Sequence, residues 1–346
     1  MTSTVTCSFD INKPGKDAGY LIVGDSTNNS GWTAYNVPII KFSNGSGPTV
    51  LVLGGNHGDE YEGQIAASSL AHQLELNQVQ GRIIIIPCLS QEASRVGTRL
   101  WPDGSNFNRV FPGSQNGPLS DRLAHYLSSY LFPICDGVLD MHSGGRSMYF
   151  IPSSNMTWVS DPAQRAKMIK NMLAWNTDFH MIGGEQAGTA PYSLLNRDAE
   201  RQGKSVSTGE FGGFGYTTPA SIKIIKDGLL NFLKTFGVLR GSLETRESLG
   251  LKPAEIIFLD SAGFTSATHA GIYENCVQLG ADVQVNDVVG KIHDFDHHDV
   301  VPIEIVSKIT GTISVIRGYP PVTIGDVVCV VGKKFSSITE LEKVAG

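Results

Sequence analysis

The sequence predicts an α/β fold with a mostly parallel sheet flanked by helices, followed by an all-β region. Two observations support the first part. Strand-sized apolar runs alternate with helical patterns up to about residue 236, and several runs are apolar without interruption, as strands covered on both faces are. A third observation supports the second part, because short Val- and Ile-rich segments between turn signals follow residue 254.

Each element of the α/β part has its own signal. The predicted strands lie in residues 37–54 (two strands around a turn rich in Gly, Ser and Asn), 82–87, 136–141 and 204–208. The predicted helices cover residues 63–76, 120–132, 162–175 and 221–236. On the first helix, Ile65, Leu70 and Leu74 are expected to share one face.

The chain is predicted to contain two domains joined by a linker. At about 150 residues per domain, a length of 346 residues suits two domains. Residues 241–253 are polar and contain Gly and Pro, which is typical of a linker. The first domain would then cover residues 1–240, and a β domain would cover residues 254–346.

Residues 277–292 and 313–331 of this β domain share a loose pattern, in which a turn with Gly or Asn precedes Asp and Val-Val. The pattern resembles the two halves of a lipoyl-like barrel-sandwich fold. Lys308 lies near the middle without an acidic-Met tip around it. The domain is therefore expected to carry no lipoyl or biotinyl group.

Composition limits the partners of the protein. The net charge is −6 and no long basic block occurs, which argues against nucleic acid. The five cysteines are far apart and form no CxxC pair, so neither a disulfide framework nor a thiolate zinc site is predicted. The start of the chain lacks a signal pattern, and the aliphatic runs are too short to cross a bilayer. A cytoplasmic protein without a membrane partner is expected, and its oligomeric state stays open, with a dimer as the common case.

Three residues have the chemistry of a zinc site. His57 and Glu60 lie in GGNHGDEYE directly after a predicted strand, and His142 follows the buried strand GVLDM. Ligands gather at the carboxyl ends of parallel strands, and two histidines with one carboxylate leave an open position on zinc. Asp140 could orient His142. The alternatives are a polar helix start for the first pair and an ordinary core histidine for His142.

Four further residues could serve a hydrolytic reaction. Glu210, in TGEFGG, is a candidate base for a water molecule, although a loop carboxylate in solvent is the alternative. Arg109 offers a planar fork for a carboxylate, with the Asn108 amide beside it. Arg99 could add a second clamp or stabilise an oxyanion, or could hold its own loop.

The motifs GGNHGDE, NFNRVFPG, DMHSGG and GEFGG occur in this order, and together they resemble the succinylglutamate desuccinylase/aspartoacylase family. The resemblance covers most of residues 45–240 and implies a zinc-carboxypeptidase-like α/β fold and an amidohydrolase with one zinc ion per subunit. It implies that His57, Glu60 and His142 bind zinc and that Glu210 is the general base. It also matches Asn108 and Arg109 to the pair that binds the substrate carboxylate, and Arg99 to the preceding arginine.

The segments around these motifs resemble the N-alpha-acetyl-L-2,4-diaminobutyrate deacetylases of ectoine degradation. The implied reaction is deacetylation of a small N-acyl amino acid. Residues that depart from this branch are Trp101, the loop 103–105 and the segment 148–150. For an acetyl-diaminobutyrate substrate, a carboxylate should meet the free γ-ammonium of the side chain. The loop candidates are Glu185, Asp198 and Glu200, each of which could equally be a surface charge.

Other interpretations remain open. A desuccinylase, an aspartoacylase or a small carboxypeptidase would use the same residues on another substrate. A non-catalytic binding protein would have the same fold without the hydrolytic activity. The segment HDFDHHD at residues 293–299 lacks ordered ligand spacing, so a polar turn is expected there rather than a second metal site.

Overall fold

A computed structural model describes residues 4–184 and 193–345, and a large mixed sheet with helices on both faces is its central feature. The strands are β1 Val5–Cys7, β2 Gly15–Thr27, β3 Ser30–Asn44, β4 Thr49–Gly54, β5 Gly81–Ile86, β6 Gly137–His142, β7 Met148–Phe150, β8 Ser153–Thr157, β9 Phe179–Gly183, β10 Ser205–Glu210, β11 Glu255–Leu259, β12 Phe264–Ser266, β13 Gly271–Asn275, β14 Asp282–Val283, β15 Val288–His293, β16 Ile303–Val306, β17 Gly311–Arg317, β18 Pro321–Val322 and β19 Val327–Phe335.

The helices are α1 Glu62–Gln73, α2 Gln91–Val96, α3 Leu119–Tyr126, α4 Pro162–Leu173, α5 Leu195–Arg201, α6 Pro219–Thr235 and α7 Ile338–Ala345. Single 3₁₀ turns lie at Leu76–Gln78, Phe107–Arg109, Phe132–Ile134 and Ser261–Gly263, and a π-helical turn, Leu127–Leu131, continues α3. In the described part of the chain, no helix combines the length and apolarity needed to cross a bilayer.

Four parallel strands form the centre of the sheet, in the order β5-β4-β6-β10. On either side the pairing becomes antiparallel, because β2 and β3 form a long hairpin against β5 and because β8 runs against β10. The prediction of a mostly parallel sheet is therefore right for this centre and wrong for the whole. The carboxyl ends of β4, β6 and β10 meet at one edge, where Glu210 is the register partner of His142.

Alternate side chains of the central strands face opposite cores, as the pleat of a strand requires. On β4, Val50 and Val52 pack with α1 and α6, whereas Leu51 and Leu53 pack on the side of α3 and α4. All four are fully buried, and each contributes about 1.5–3 kcal/mol of hydrophobic stabilisation. Two covered faces explain why these strands are apolar without interruption.

Helix α1 is close to its predicted position, but Ile65 does not share the buried face of Leu70 and Leu74 as predicted. Leu70 and Leu74 are buried, whereas Ile65 is 37% exposed. The core face of α1 is completed by Ala66 and Ala67, which are fully buried. Small alanines let the helix approach the sheet closely. A prediction based on the large apolar residues therefore oriented the buried face of the helix incorrectly.

The large sheet continues into the residues after 254. Strand β11 pairs parallel with β9 and antiparallel with β19, and β17 pairs with β7, which precedes β8 in the first part of the chain. A separate four-stranded sheet has the order β16-β15-β13-β18. Residues 241–253 contain neither helix nor strand. Arg246 anchors this segment by donating to the carbonyls of Asn176 and Thr177, at 3.1 and 2.9 Å.

Candidate functional site

Two chain segments bring three potential metal ligands together. His57 and Glu60 lie in the turn between β4 and α1, and His142 is the last residue of β6. All three are buried, and their candidate ligand atoms lie within 4.8 Å of one another. The turn needs glycine at Gly58, where a Cβ would collide with the backbone of Ala93. The structure therefore brings together the three residues that the sequence predicts as metal ligands.

Glu60 joins the two imidazoles in this structure. Its Oε1 contacts His57 Nδ1 and its Oε2 contacts His142 Nδ1, both at 2.7 Å. The backbone N–H of Ser143 also donates to Oε2, at 3.2 Å. Burial alone would raise the pKa of Glu60, but the charges and hydrogen bonds of His57 and His142 hold this pKa well below its ordinary value.

Each imidazole also has an oxygen acceptor on its outer nitrogen. His57 Nε2 lies 3.1 Å from Asn106 Oδ1, and His142 Nε2 lies 2.9 Å from Asp140 Oδ2, the contact expected from the sequence. With an ion bound, these acceptors would hold the proton on Nε2 of each ring, and each Nδ1 lone pair would be available as a ligand. A neutral Nδ1 pair with one carboxylate is a donor set that suits zinc. The residues present therefore fit the metal that the family resemblance implies.

Burial acts differently on the two histidines. The pKa of His57 is lowered, chiefly because the side chain is removed from water. Burial also acts to lower the pKa of His142, but the carboxylates of Asp140 and Glu60 outweigh it and raise this pKa well above its ordinary value. Asp140 Oδ2 is itself held by the side-chain amide of Asn56, at 2.8 Å.

Glu210 ends strand β10 beside His142. Its Oε2 is buried and has no hydrogen-bond partner among the described residues. Burial raises the pKa of Glu210 to about 8; His142 opposes this shift and Glu60 adds to it. A cation placed among His57, Glu60 and His142 would lower this pKa again, because it would favour the charged carboxylate. The geometry thus places a buried carboxyl oxygen without a hydrogen-bond partner next to the ligand set, among the described residues.

Asn108 and Arg109 lie on the 3₁₀ turn Phe107–Arg109, close to Arg99. Asn108 Oδ1 accepts from the backbone N–H of Leu195 at 2.9 Å, which leaves its NH₂ group to donate to the cavity. Arg109 Nη1 donates to the carbonyl of Asn108, at 2.9 Å. Burial and the neighbouring Arg99 both lower the pKa of Arg109. Two guanidinium groups at one wall favour an anionic ligand.

Arg99 reaches the ligand set directly. Its Nη1 donates to Glu60 Oε1 at 3.0 Å, so in this structure it contacts a candidate ligand. Trp101 does not line the cavity; it is buried and stacks on Phe107, with ring centroids 4.8 Å apart. The departure at Trp101 therefore acts through the packing beneath Asn108 and Arg109.

All seven residues predicted for the site line one cavity of about 490 Å³, a volume suited to a small molecule. Residues after 254 close part of its wall, among them Phe264, Val315 and Arg317. Asp59 and Arg317 are charged wall residues that the sequence did not predict. Asp59 could have been found from its place between His57 and Glu60, whereas no local signal marks Arg317.

Two of the three loop carboxylates proposed to meet a substrate ammonium lie away from the cavity. Asp198 and Glu200 are buried residues of helix α5, and neither carboxylate lines the cavity. Asp198 pairs with Arg201 at 3.3 Å, and Glu200 pairs with Arg197 at 3.0 Å. The prediction is wrong for these two carboxylates, because each is paired with an arginine three residues away along the helix. Glu185 lies outside the described residues.

Residues 294–299 form an exposed turn after β15, which ends at His293. His293 pairs with Glu274 at 2.8 Å, and His297 lies 3.3 Å from Asp294. Within the described ranges, only His57, Glu60 and His142 form a group that could hold a metal ion.

Comparison with known proteins gives consistent matches. The sequence-family model of the succinylglutamate desuccinylase/aspartoacylase catalytic domain matches residues 46–236. The N-alpha-acetyl-L-2,4-diaminobutyric acid deacetylase of Halomonas elongata is 32% identical over 338 residues, which cover 97% of each chain.

Solved structures match over nearly the whole chain. The succinylglutamate desuccinylase/aspartoacylase of Rhodobacter sphaeroides has a TM-score of 0.90 at 36% identity, covering 97% of this chain and 100% of that one. The product-bound ectoine utilization protein EutE (DoeB) of Ruegeria pomeroyi has a TM-score of 0.90 at 30% identity, covering 96% of this chain and 100% of that one.

Proposed function

Because the chain belongs to the succinylglutamate desuccinylase/aspartoacylase family, as its four motifs predict, we propose that it hydrolyses the amide bond of a small N-acyl amino acid. The proposed substrate is Nα-acetyl-L-2,4-diaminobutyrate, which yields diaminobutyrate and acetate. Similarity to the Halomonas elongata deacetylase over 97% of the chain supports this choice. The observation that carries the proposal is the convergence of His57, Glu60 and His142 beside the unpartnered oxygen of Glu210.

His57, Glu60 and His142 would hold one zinc ion, with Asn106 and Asp140 keeping the two imidazoles in the required tautomer. A bound zinc ion polarises a carbonyl oxygen and lowers the pKa of water to about 7. The donor set supports this assignment.

Glu210 would move the proton of the reaction. Its free Oε2 accepts a proton from the attacking water, whose oxygen forms the new bond to the acyl carbon. The C–N bond then breaks, and Glu210 returns the proton to the departing nitrogen. Glu210 thus carries one proton of the water to the nitrogen, and the second stays on the new acid until it ionises and protonates the amine, so the products are a carboxylate and an ammonium.

Arg109 and the NH₂ group of Asn108 would bind the carboxylate of the amino acid. A planar guanidinium can donate two parallel hydrogen bonds to a carboxylate, which fixes the amide relative to Glu210. Arg99, 3.0 Å from Glu60, would stabilise negative charge that develops on the acyl oxygen. We propose that residues 254–346 form a β domain whose strands limit the size of the substrate.

A second candidate is an acidic N-acyl amino acid such as acetylaspartate or succinylglutamate. Arg317 in the cavity wall favours it, because a third guanidinium could meet a second carboxylate. Against this, Arg317 already donates to the carbonyls of Tyr319 and Pro321, both at 2.9 Å, and pairs with Asp326 at 3.3 Å. Its donors are therefore largely used.

The test is a comparison of kcat/KM for three substrates with the zinc-loaded protein. The substrates are Nα-acetyl-L-2,4-diaminobutyrate, N-acetyl-L-aspartate and N-succinyl-L-glutamate. We expect the first to be hydrolysed fastest and the activity to disappear when a chelator removes the metal. Preference for an acidic substrate would establish the second candidate, and no hydrolysis of any of them by zinc-loaded protein would refute the proposal.

A further inference from the structure

Asp59 is a buried carboxylate in the cavity that neither the proposed metal site nor the proposed proton transfer uses. It lies between His57 and Glu60 in the chain, is 6% exposed and lines the cavity. Its Oδ2 accepts from the backbone N–H of Arg146, at 2.9 Å. Its Oδ1 is buried and has no hydrogen-bond partner within the described residues.

The charge of Asp59 has no partner either. Among the described residues, no lysine, arginine or histidine side chain forms an ion pair with it. A buried acceptor without a partner costs free energy, and such a cost persists at sites where a ligand supplies the partner. The partner of a carboxylate is a cation or another hydrogen-bond donor.

The surrounding backbone is built around this carboxylate. Gly145 has a φ of +56, and a Cβ there would lie 2.5 Å from Asp59 Oδ2. The loop after β6 therefore packs tightly against the Asp59 carboxylate, whose Oδ1 has no hydrogen-bond partner among the described residues. The Arg146 amide keeps the side chain in place, so little ordering is needed when a ligand binds.

We propose that Asp59 is an ammonium subsite that selects N-acyl amino acids with a free amine on the side chain. The inference rests on the proposed function, since the substrate carboxylate would bind at Arg109 and Asn108. Guanidinium groups at that wall and a carboxylate at Asp59 complement a substrate with one charge of each sign. A neutral side chain would leave Asp59 unpaired, and an acidic one would be repelled.

The test compares an ammonium with a methyl group of similar shape. We would measure kcat/KM for Nα-acetyl-L-2,4-diaminobutyrate and Nα-acetyl-L-norvaline with the wild type and with Asp59→Asn, which can still accept from the Arg146 amide. The ratio of the two values is independent of how much protein carries metal. We expect it to favour the ammonium substrate by about 10- to 100-fold in the wild type and to fall close to one in Asp59→Asn.

Asp161→Asn is the matched control. Asp161 also accepts from a backbone amide, that of Gln164 at 2.7 Å, but it caps α4 on the surface, outside the cavity. This variant should keep the wild-type ratio. An unchanged ratio in Asp59→Asn, or no preference in the wild type, would overturn the ammonium subsite.

Binding separates this inference from the proposed function. Calorimetry would compare L-2,4-diaminobutyrate with L-norvaline on the wild type and on Asp59→Asn. A preference of about tenfold or more for diaminobutyrate that Asp59→Asn abolishes would support the subsite even if no amide is hydrolysed. Equal binding of the two amino acids by the wild type would overturn it, whether or not the variant folds.

Discussion

Replacing Glu210 by Gln should abolish turnover and leave the metal in place. The substitution conserves shape, and no hydrogen bond to Oε2 is lost because that atom has no partner in the described structure. Since the pKa of Glu210 is raised to about 8, the metal-free protein already carries a neutral side chain there at pH 7. The folded structure and the metal content should therefore change little, so the loss of activity isolates the base.

General bases contribute about 10²- to 10⁴-fold to rate, which corresponds to about 3–5 kcal/mol of barrier. The assay is kcat/KM with metal content measured on the same sample. Glu62→Gln is the matched control, because Glu62 is also a buried carboxyl with an unpartnered oxygen and a pKa raised to about 7 by burial, but it does not line the cavity. We expect this control to stay within about threefold of the wild type. Activity of Glu210→Gln within tenfold of the wild type, or loss of its zinc, would refute the role of Glu210.

Three further predictions concern residues around the reaction. Asp140→Asn should weaken zinc binding by about 10- to 100-fold, measured by competition with a chelator; unchanged affinity would contradict its orienting role. Arg109→Lys should raise KM by about 10- to 100-fold and change kcat little, and an equal loss in kcat would place Arg109 at the reacting atoms instead. In the metal-free protein, Glu210 binds its proton more tightly when folded, so its contribution to stability falls as pH rises from about 4.5 to about 8. In denaturant unfolding, the free energy of unfolding of Glu210→Gln should rise relative to that of the wild type by about 1.4 kcal/mol per pH unit in that window. A difference between the two proteins that does not change with pH would rule this out.

The convergence of the three candidate metal ligands could be predicted because their signal is local and their meeting place follows from topology. His57 and Glu60 follow the apolar strand β4, His142 ends the buried strand β6, and parallel strands end at one edge. Asn106 was missed because an asparagine beside a turn has an ordinary capping role, and indeed its Oδ1 also accepts from the N–H of Asn108. Only the fold shows that the same oxygen faces His57.

The parts of the fold that were missed lack such a pattern. Strands β2 and β3 form a hairpin over residues 15–44. Before residue 37, only Leu21, Val23 and Tyr35 of these two strands are buried, so this part of the sequence gave no strand signal. Arg317 lies more than 100 residues beyond Glu210 and reaches the cavity only because β17 pairs with β7. Contacts of that kind depend on tertiary pairing and have no signature in local sequence.

The most direct test of the metal site is a crystal structure of the zinc-loaded protein with diffraction recorded on both sides of the zinc absorption edge. We predict one anomalous peak per chain at about 2.0–2.2 Å from Nδ1 of His57, Nδ1 of His142 and a carboxylate oxygen of Glu60. A peak at another group of side chains, or none in crystals of catalytically active protein, would contradict it.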